Sequence, residues 1–244
     1  MSRYCRWAMF ALFVLSAQWV RADGMLYQLP KDGAWATYEF TASAKTTGGA
    51  ADDAMSFKGT LTIASVGQVV VQDQPCRWIE VQLGMAANNP EEIRGEVYKI
   101  LVPENFLVKG QSPLAHVLQA WFQRGGQPPQ RLADPGDINV GPLPIILSGP
   151  WSNVKKLDKV AIDGKLGNLS CEGTQGTLDF KMGSVGNMVC RLENRLHENS
   201  PFGVVTCRWS LELPEVQGKK AVIYWNLKLI DVGGNAVSKL PSVK

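Results

Sequence analysis

Val204-Val205-Thr206-Cys207-Arg208-Trp209-Ser210-Leu211-Glu212-Leu213 alternates apolar and polar side chains almost without a break. Successive side chains of a strand point to opposite faces. Val205, Cys207, Trp209, Leu211 and Leu213 therefore share one face, and Thr206, Arg208, Ser210 and Glu212 share the other. This is the signature of a half-buried strand, and it recurs along the chain. Downstream, Ile223, Trp225, Leu227 and Leu229 alternate with Tyr224, Asn226 and Lys228. Upstream, Met188, Cys190, Leu192 and Leu196 alternate with Arg191, Glu193 and Arg195. Ala36-Tyr38-Phe40, Phe57-Leu61-Ile63 and Ile79-Val81-Leu83-Met85 repeat the pattern against Thr37, Glu39, Thr41, Lys58, Thr60, Thr62, Trp78, Glu80 and Gln82.

Turn residues separate these runs at hairpin spacing: Gln72-Asp73-Gln74-Pro75, Asp163-Gly164, and Glu198 to Gly203 around Pro201. Sequential antiparallel neighbours with one apolar and one polar face follow. One stretch has a different period. Leu114, Val117, Leu118, Trp121 and Phe122 fall at i, i+3, i+4, i+7 and i+8, which predicts an amphipathic helix over about 112–124. Ser112 suits its N-cap, Pro113 its first turn, Arg124 its last turn, and Gly125-Gly126 its stop. A helix of that length needs tertiary burial, so its stripe is expected to lie as a lid on the apolar face of the sheet. Residues 125–150 are rich in Pro and Gly and read as a long loop.

The first 22 residues read as a secretory signal peptide. Arg3 and Arg6 precede the apolar run Trp7 to Ala17, and Val20-Arg21-Ala22 places a cleavage site before Asp23. The uncharged stretch to Val20 falls short of the roughly 20 apolar residues a membrane-spanning helix needs. Cys5 precedes the apolar run, where lipidation does not occur. Export to the periplasm or the cell exterior is the expected destination, with no stable transmembrane span after cleavage.

Residues 23–244 are then expected to form a single β-rich domain. The leader holds Arg3, Arg6 and Arg21 and no acidic residue, so of 25 basic residues 22 remain against 22 acidic ones. Such a balance, with only the isolated pairs Lys155-Lys156 and Lys219-Lys220, argues against nucleic acid as a partner.

Four cysteines follow the leader: Cys76, Cys171, Cys190 and Cys207. An even number in an exported chain makes them disulfide candidates. Cys190 and Cys207 share the apolar phase of strands flanking one turn, Cys171 is an equal partner for Cys190, and the register that decides between them is not written in the sequence. Buried free thiols are the alternative. No close pair supplies a zinc knuckle, so neither a metal nor any other cofactor is expected.

Catalytic groups are sparse. His116 and His197 are the only imidazoles, and neither sits in a nucleophile elbow. The acid pairs Asp52-Asp53, Glu91-Glu92 and Asp134/Asp137 lie in loop-like segments, so a non-enzymatic protein is expected. Trp35 and Trp78 fall on the polar phase of their strands. They form either an exposed surface platform for sugars or apolar ligands, or a second small core if the chain covers them.

The order of elements resembles the half-barrel of periplasmic lipoprotein carriers. Tyr98-Lys99-Ile100-Leu101-Val102-Pro103-Glu104 and Ser200-Pro201-Phe202-Gly203-Val204-Val205 are similar to segments of uncharacterised exported bacterial proteins. The resemblance implies a mainly β (α+β) fold, a large curved antiparallel half-barrel with one amphipathic helix over its apolar face. It also implies an exported binding or carrier protein whose concavity takes an acyl chain or apolar peptide. The alternative is a surface interaction protein that binds polysaccharide through exposed tryptophans. Lipid, lipoprotein and polysaccharide are the partners to weigh.

Overall fold

The computed structural model describes residues 24–46, 56–85, 95–132, 151–182, 186–215 and 221–240. The expected signal peptide, the acid pairs at 52–53, 91–92, 134 and 137, Lys219-Lys220 and most of the Pro/Gly-rich stretch lie outside them.

Among the described residues eleven strands form one antiparallel sheet. They are β1 Trp35–Thr46, β2 Ser56–Val71, β3 Gln74–Met85, β4 Gly95–Pro103, β5 Gln119–Arg124, β6 Gln130–Arg131, β7 Ser152–Gly164, β8 Gly167–Met182, β9 Gly186–Leu196, β10 Val204–Glu212 and β11 Ala221–Gly233. The spatial order is β6-β5-β4-β3-β2-β1-β11-β10-β9-β8-β7. Two meanders are thus sewn together by the β1–β11 pair, and among the described strands the sheet does not close on itself. Trp35 to Thr46 pairs along its whole length with Gly233 to Ala221, across a bulge at Thr37/Tyr38.

The hairpins form where the turn residues predict them. Gln72 and Asp73 both take positive φ (50° and 61°), the geometry of a two-residue hairpin turn. Gly167 and Gly203 (φ 85° and 83°) serve the β7–β8 and β9–β10 turns.

The apolar phase of both meanders forms one core. Ala36, Tyr38, Leu61, Ile63, Ile79 and Val81 of the first half join Cys190, Leu192, Cys207, Trp209, Leu227 and Leu229 of the second. Met25, Leu26, Leu107, Val117, Trp151 and Phe202, contributed by segments outside the strands, fill the face and are themselves buried. Tyr38 Oη donates to Val204 O at 3.0 Å, tying the two meanders together inside the core. Arg77, on the apolar phase of β3, is buried but paired. Its Nη2 lies 2.6 Å from Glu104 Oε1, and its Nη1 donates to Ser65 Oγ and to Pro30 O.

The expected helix over 112–124 does not form. Pro113–His116 makes a single 3-10 turn, Ser112 gives no side-chain cap, and Gln119–Arg124 is strand β5. The open edge of β4 explains the outcome. Glu96 to Leu101 pairs with Arg124 to Gln119, satisfying main-chain groups that a helix would have left exposed on β4. Trp, Phe and Val also favour extended backbone, so these residues accept a strand despite their helical spacing. The lid residues scatter accordingly. Val117 is buried in the core, Leu114 packs against it, and Phe122 meets Tyr98 with ring centroids 4.8 Å apart. Leu118 is 43% exposed, and Trp121 faces the opposite side of the sheet beside Lys99.

The disulfide expectation is corrected as well: Cys76, Cys171, Cys190 and Cys207 are all buried free thiols. Register is the reason. Cys190 pairs with Leu211, whereas Cys207 pairs with Asn194. Four residues of strand separate the two by about 13 Å, beyond the roughly 7 Å between Cα atoms that a bridge tolerates. Cys171 pairs with Val160 and belongs to a separate small cluster with Leu169 and Val205.

Candidate functional site

The polar face carries two features, one on each half of the sheet. On the second half, register aligns polar side chains into two parallel rows. One runs Thr41, Asn226, Arg208, Glu193, Gln175, Lys155 from β1 to β7. The next runs Ser43, Tyr224, Ser210, Arg191, Thr177, Ser152. Strands lie about 4.8 Å apart, so six of them make a track about 24 Å long. Nearly all of these residues, with Lys45 and Asn153, line a groove of 690 Å³.

The groove is biased toward positive charge. Lys45, Lys155, Arg191 and Arg208 line it against one acid, Glu193. Glu193 Oε1 is already held by Arg195 through Nε at 3.1 Å and Nη2 at 2.9 Å. Arg208 therefore stands opposite an acid that another residue has neutralised, and it makes no ion pair among the described residues. Arg191 pairs with Glu212 at 3.1 Å, but both side chains are largely exposed and such pairs are weak. Lys45 Nζ lies over the Tyr224 ring, 5.8 Å from its centroid. Asn153, Ser152 and Thr177 bond one another, whereas the side chains of Ser43, Gln175, Ser210 and Asn226 make no hydrogen bond among the described residues and remain to meet a ligand.

On the first half, the chain's last described segment crosses the polar face. Glu80, fully buried, accepts from Lys239 N at 2.9 Å, from Leu240 N at 3.2 Å and from Ser238 Oγ. Lys99, 6% exposed, donates from Nζ to Ser238 Oγ at 2.7 Å and stands 4.0 Å from Glu80. Burial lowers the Lys99 pKa, and Glu80 partly opposes that shift. The tryptophans are thereby explained. Trp35 is half-buried, with Nε1 donating to Gly234 O at 3.2 Å and its ring against Gly233. Trp78 is half-buried under Lys99 Nζ, 5.1 Å from its ring centroid. They form no exposed platform: residues 234–240 cover this face, and Trp78 shares a pocket with Trp121.

The two histidines stand apart. His116 stacks on Phe106 with centroids 3.4 Å apart, and His197 Nδ1 accepts from Asn199 N. Among the described residues no group of acids, histidines and cysteines could hold a metal ion. Burial pushes the Cys190 thiol up to about 12 and raises that of Cys207 well above its ordinary value, so both stay protonated and unreactive at neutral pH. Among the described residues no helix is long and apolar enough to cross a membrane.

The charged track was missed from the sequence because it depends on register. Its members appear only as unremarkable polar alternates within β1 and β7 to β11, and their alignment needs the pairing of six strands. The signal present was the cationic and aromatic content of those alternates at Arg191, Arg208 and Tyr224.

No family model matches the chain, and no curated protein matches it. Among solved structures it is similar to a DUF1329 family protein from Desulfovibrio piger, at 11% identity and a TM-score of 0.29, over 82% of this chain and 86% of that one. Likeness to lipoprotein carriers is not shown by these comparisons.

Proposed function

We propose that this chain is an exported, non-enzymatic binding protein whose working surface is the two-row track, and that its ligand is an acidic polysaccharide. The observation that carries the reading is the alignment of Arg208, Lys155, Arg191 and Lys45 along one groove whose single acid is neutralised by Arg195. Hydroxyls and amides between the cations supply the neutral hydrogen bonding that a sugar chain requires. A linear polymer lying across the strands would meet charge at several points, as multivalent attraction demands.

The test is titration with an unbranched polyuronate, with dextran as the neutral control and single-stranded DNA as a second polyanion. Affinity is expected to fall with added salt and to drop at least about tenfold in Arg208→Glu, since reversal replaces an attraction with a repulsion. Dextran is expected not to bind. Equal affinity for wild type and Arg208→Glu would refute the reading, and equal affinity for DNA would reduce it to generic polyanion attraction.

The apolar-cargo reading stands second. It is favoured by the way Leu107, Leu114 and Val117 cap the apolar face from outside the sheet. It also requires that Met25, Leu26, Leu107 and Phe202, all buried, leave the space an acyl chain would take.

A further inference from the structure

β2 and β3 fall out of register between Ser65 and Gln68, so Val66 and Gly67 have no partner on β3. The irregularity opens a pocket of 320 Å³ on the polar face, lined mainly by Trp78, Trp121, Lys99, Val66, Gly67 and Ser238. That volume is at the small end of ligand sites. Two details distinguish it from a packing gap. Trp121 Nε1 is buried and finds no acceptor among the described residues, an arrangement that native proteins rarely leave without water or ligand. Lys99 Nζ gives one hydrogen to Ser238 Oγ at 2.7 Å and one to Leu240 O at 3.5 Å. An ammonium has three, so one is unused among the described residues.

Both oxygens of Glu80 are taken by Ser238, Lys239 and Leu240, and Glu80 stands no closer than 4.0 Å to Lys99. The site thus offers two indole surfaces, one spare indole N–H and one spare ammonium N–H. We propose that this pocket, separate from the track, binds a ring-bearing carboxylate, the chemistry shared by uronic sugars and aromatic acids. The ring would lie against Trp78 and Trp121, and the carboxylate would accept from Trp121 Nε1 and Lys99 Nζ.

The experiment titrates the full-length protein with glucuronate and with benzoate, using glucose and benzyl alcohol as neutral controls. Binding is followed through tryptophan fluorescence and through the indole N–H resonance of Trp121, assigned by its disappearance in Trp121→Phe. One or both acids are expected to bind saturably and to shift that resonance downfield, and which of them binds names the source. Trp121→Phe keeps an aromatic ring, though a smaller one, and removes the donor, so affinity is expected to fall about tenfold or more, as loss of a charged hydrogen bond implies. Trp35→Phe, outside the pocket, is expected to bind as wild type does. Absence of saturable binding by both acids, equal binding of the neutral analogues, an unmoved Trp121 resonance, or wild-type affinity in Trp121→Phe would each overturn the proposal.

Discussion

Glu80→Gln removes one charge from a fully buried carboxylate that organises the end of the chain. The carboxylate accepts from Ser238 Oγ and from the main-chain N–H groups of Lys239 and Leu240, and it faces Lys99 Nζ at 4.0 Å. Hydrogen bonds to a charged acceptor contribute about 1.5–3 kcal/mol, against about 0.5–1.5 kcal/mol for neutral ones. An amide retains one acceptor oxygen and turns an NH₂ toward a donor, so one bond is lost and the others weaken. The Coulomb attraction to Lys99 over that separation, at an effective dielectric constant of about 20, is about 4 kcal/mol before desolvation is subtracted. Breaking a buried pair from one side typically costs about 3–5 kcal/mol, and the net expectation for Glu80→Gln is about 3–4 kcal/mol. Urea unfolding measures it directly, and amide exchange at Lys239 and Leu240 is expected to accelerate by a similar free energy. Adding Lys99→Met removes the stranded ammonium, so the double variant is expected to lose about 1–3 kcal/mol less than the sum of the singles. A loss under about 0.5 kcal/mol in Glu80→Gln, or strict additivity of the pair, would refute the clamp.

Three further outcomes follow from the packing and the titrating groups. Gly59→Ala would place a Cβ 2.3 Å from Gly84 O and 2.6 Å from the Phe40 ring, so unfolding experiments are expected to show a loss of about 1–3 kcal/mol. A thiol reagent at pH 8 is expected to modify none of Cys76, Cys171, Cys190 and Cys207 in the native protein and all four in urea without reductant, whereas fewer than four would mean a bridge. Lys99 has a folded-state pKa below its unfolded value, so folding releases its proton and stability gains from this group as pH rises from the folded toward the unfolded pKa. Cys190 acts in the opposite sense, losing stability as pH climbs past 9.0 toward about 12. Comparison of pH–stability curves for wild type and Lys99→Met isolates the lysine's rising contribution.

The legible part of this fold was its period-two alternation. Val205 to Leu213 and Ile223 to Leu229 match β10 and β11 within a residue or two at most ends, and the hairpin at Gln72-Asp73 forms as composition predicts. The segment from Leu114 to Phe122 is where the reading fails, because its apolar positions have helical spacing although Gln119–Arg124 extends as a strand. Only the unpaired edge of β4, remote in sequence, decided between helix and strand. Register was equally invisible: it separates Cys190 from Cys207, and it aligns Arg208 with Glu193 and Gln175. Trp78 was singled out correctly as a polar-phase aromatic. Its partner Trp121 falls within the helical spacing, and the covering segment Ser238 to Leu240 has no periodic signature. Sites built from the local pattern were therefore readable, and sites built from strand pairing were not.

In the proposed reading, ligands meet the polar face while the apolar face serves as packed core. Backbone amide shifts of isotopically labelled protein during titration with an unbranched polyuronate test this most directly. Shifts are expected to concentrate at Lys155, Gln175, Arg191, Arg208 and Tyr224, with Tyr38, Leu61 and Ile79 unmoved. Shifts centred on the apolar face, or none along the track at saturating ligand, would contradict it.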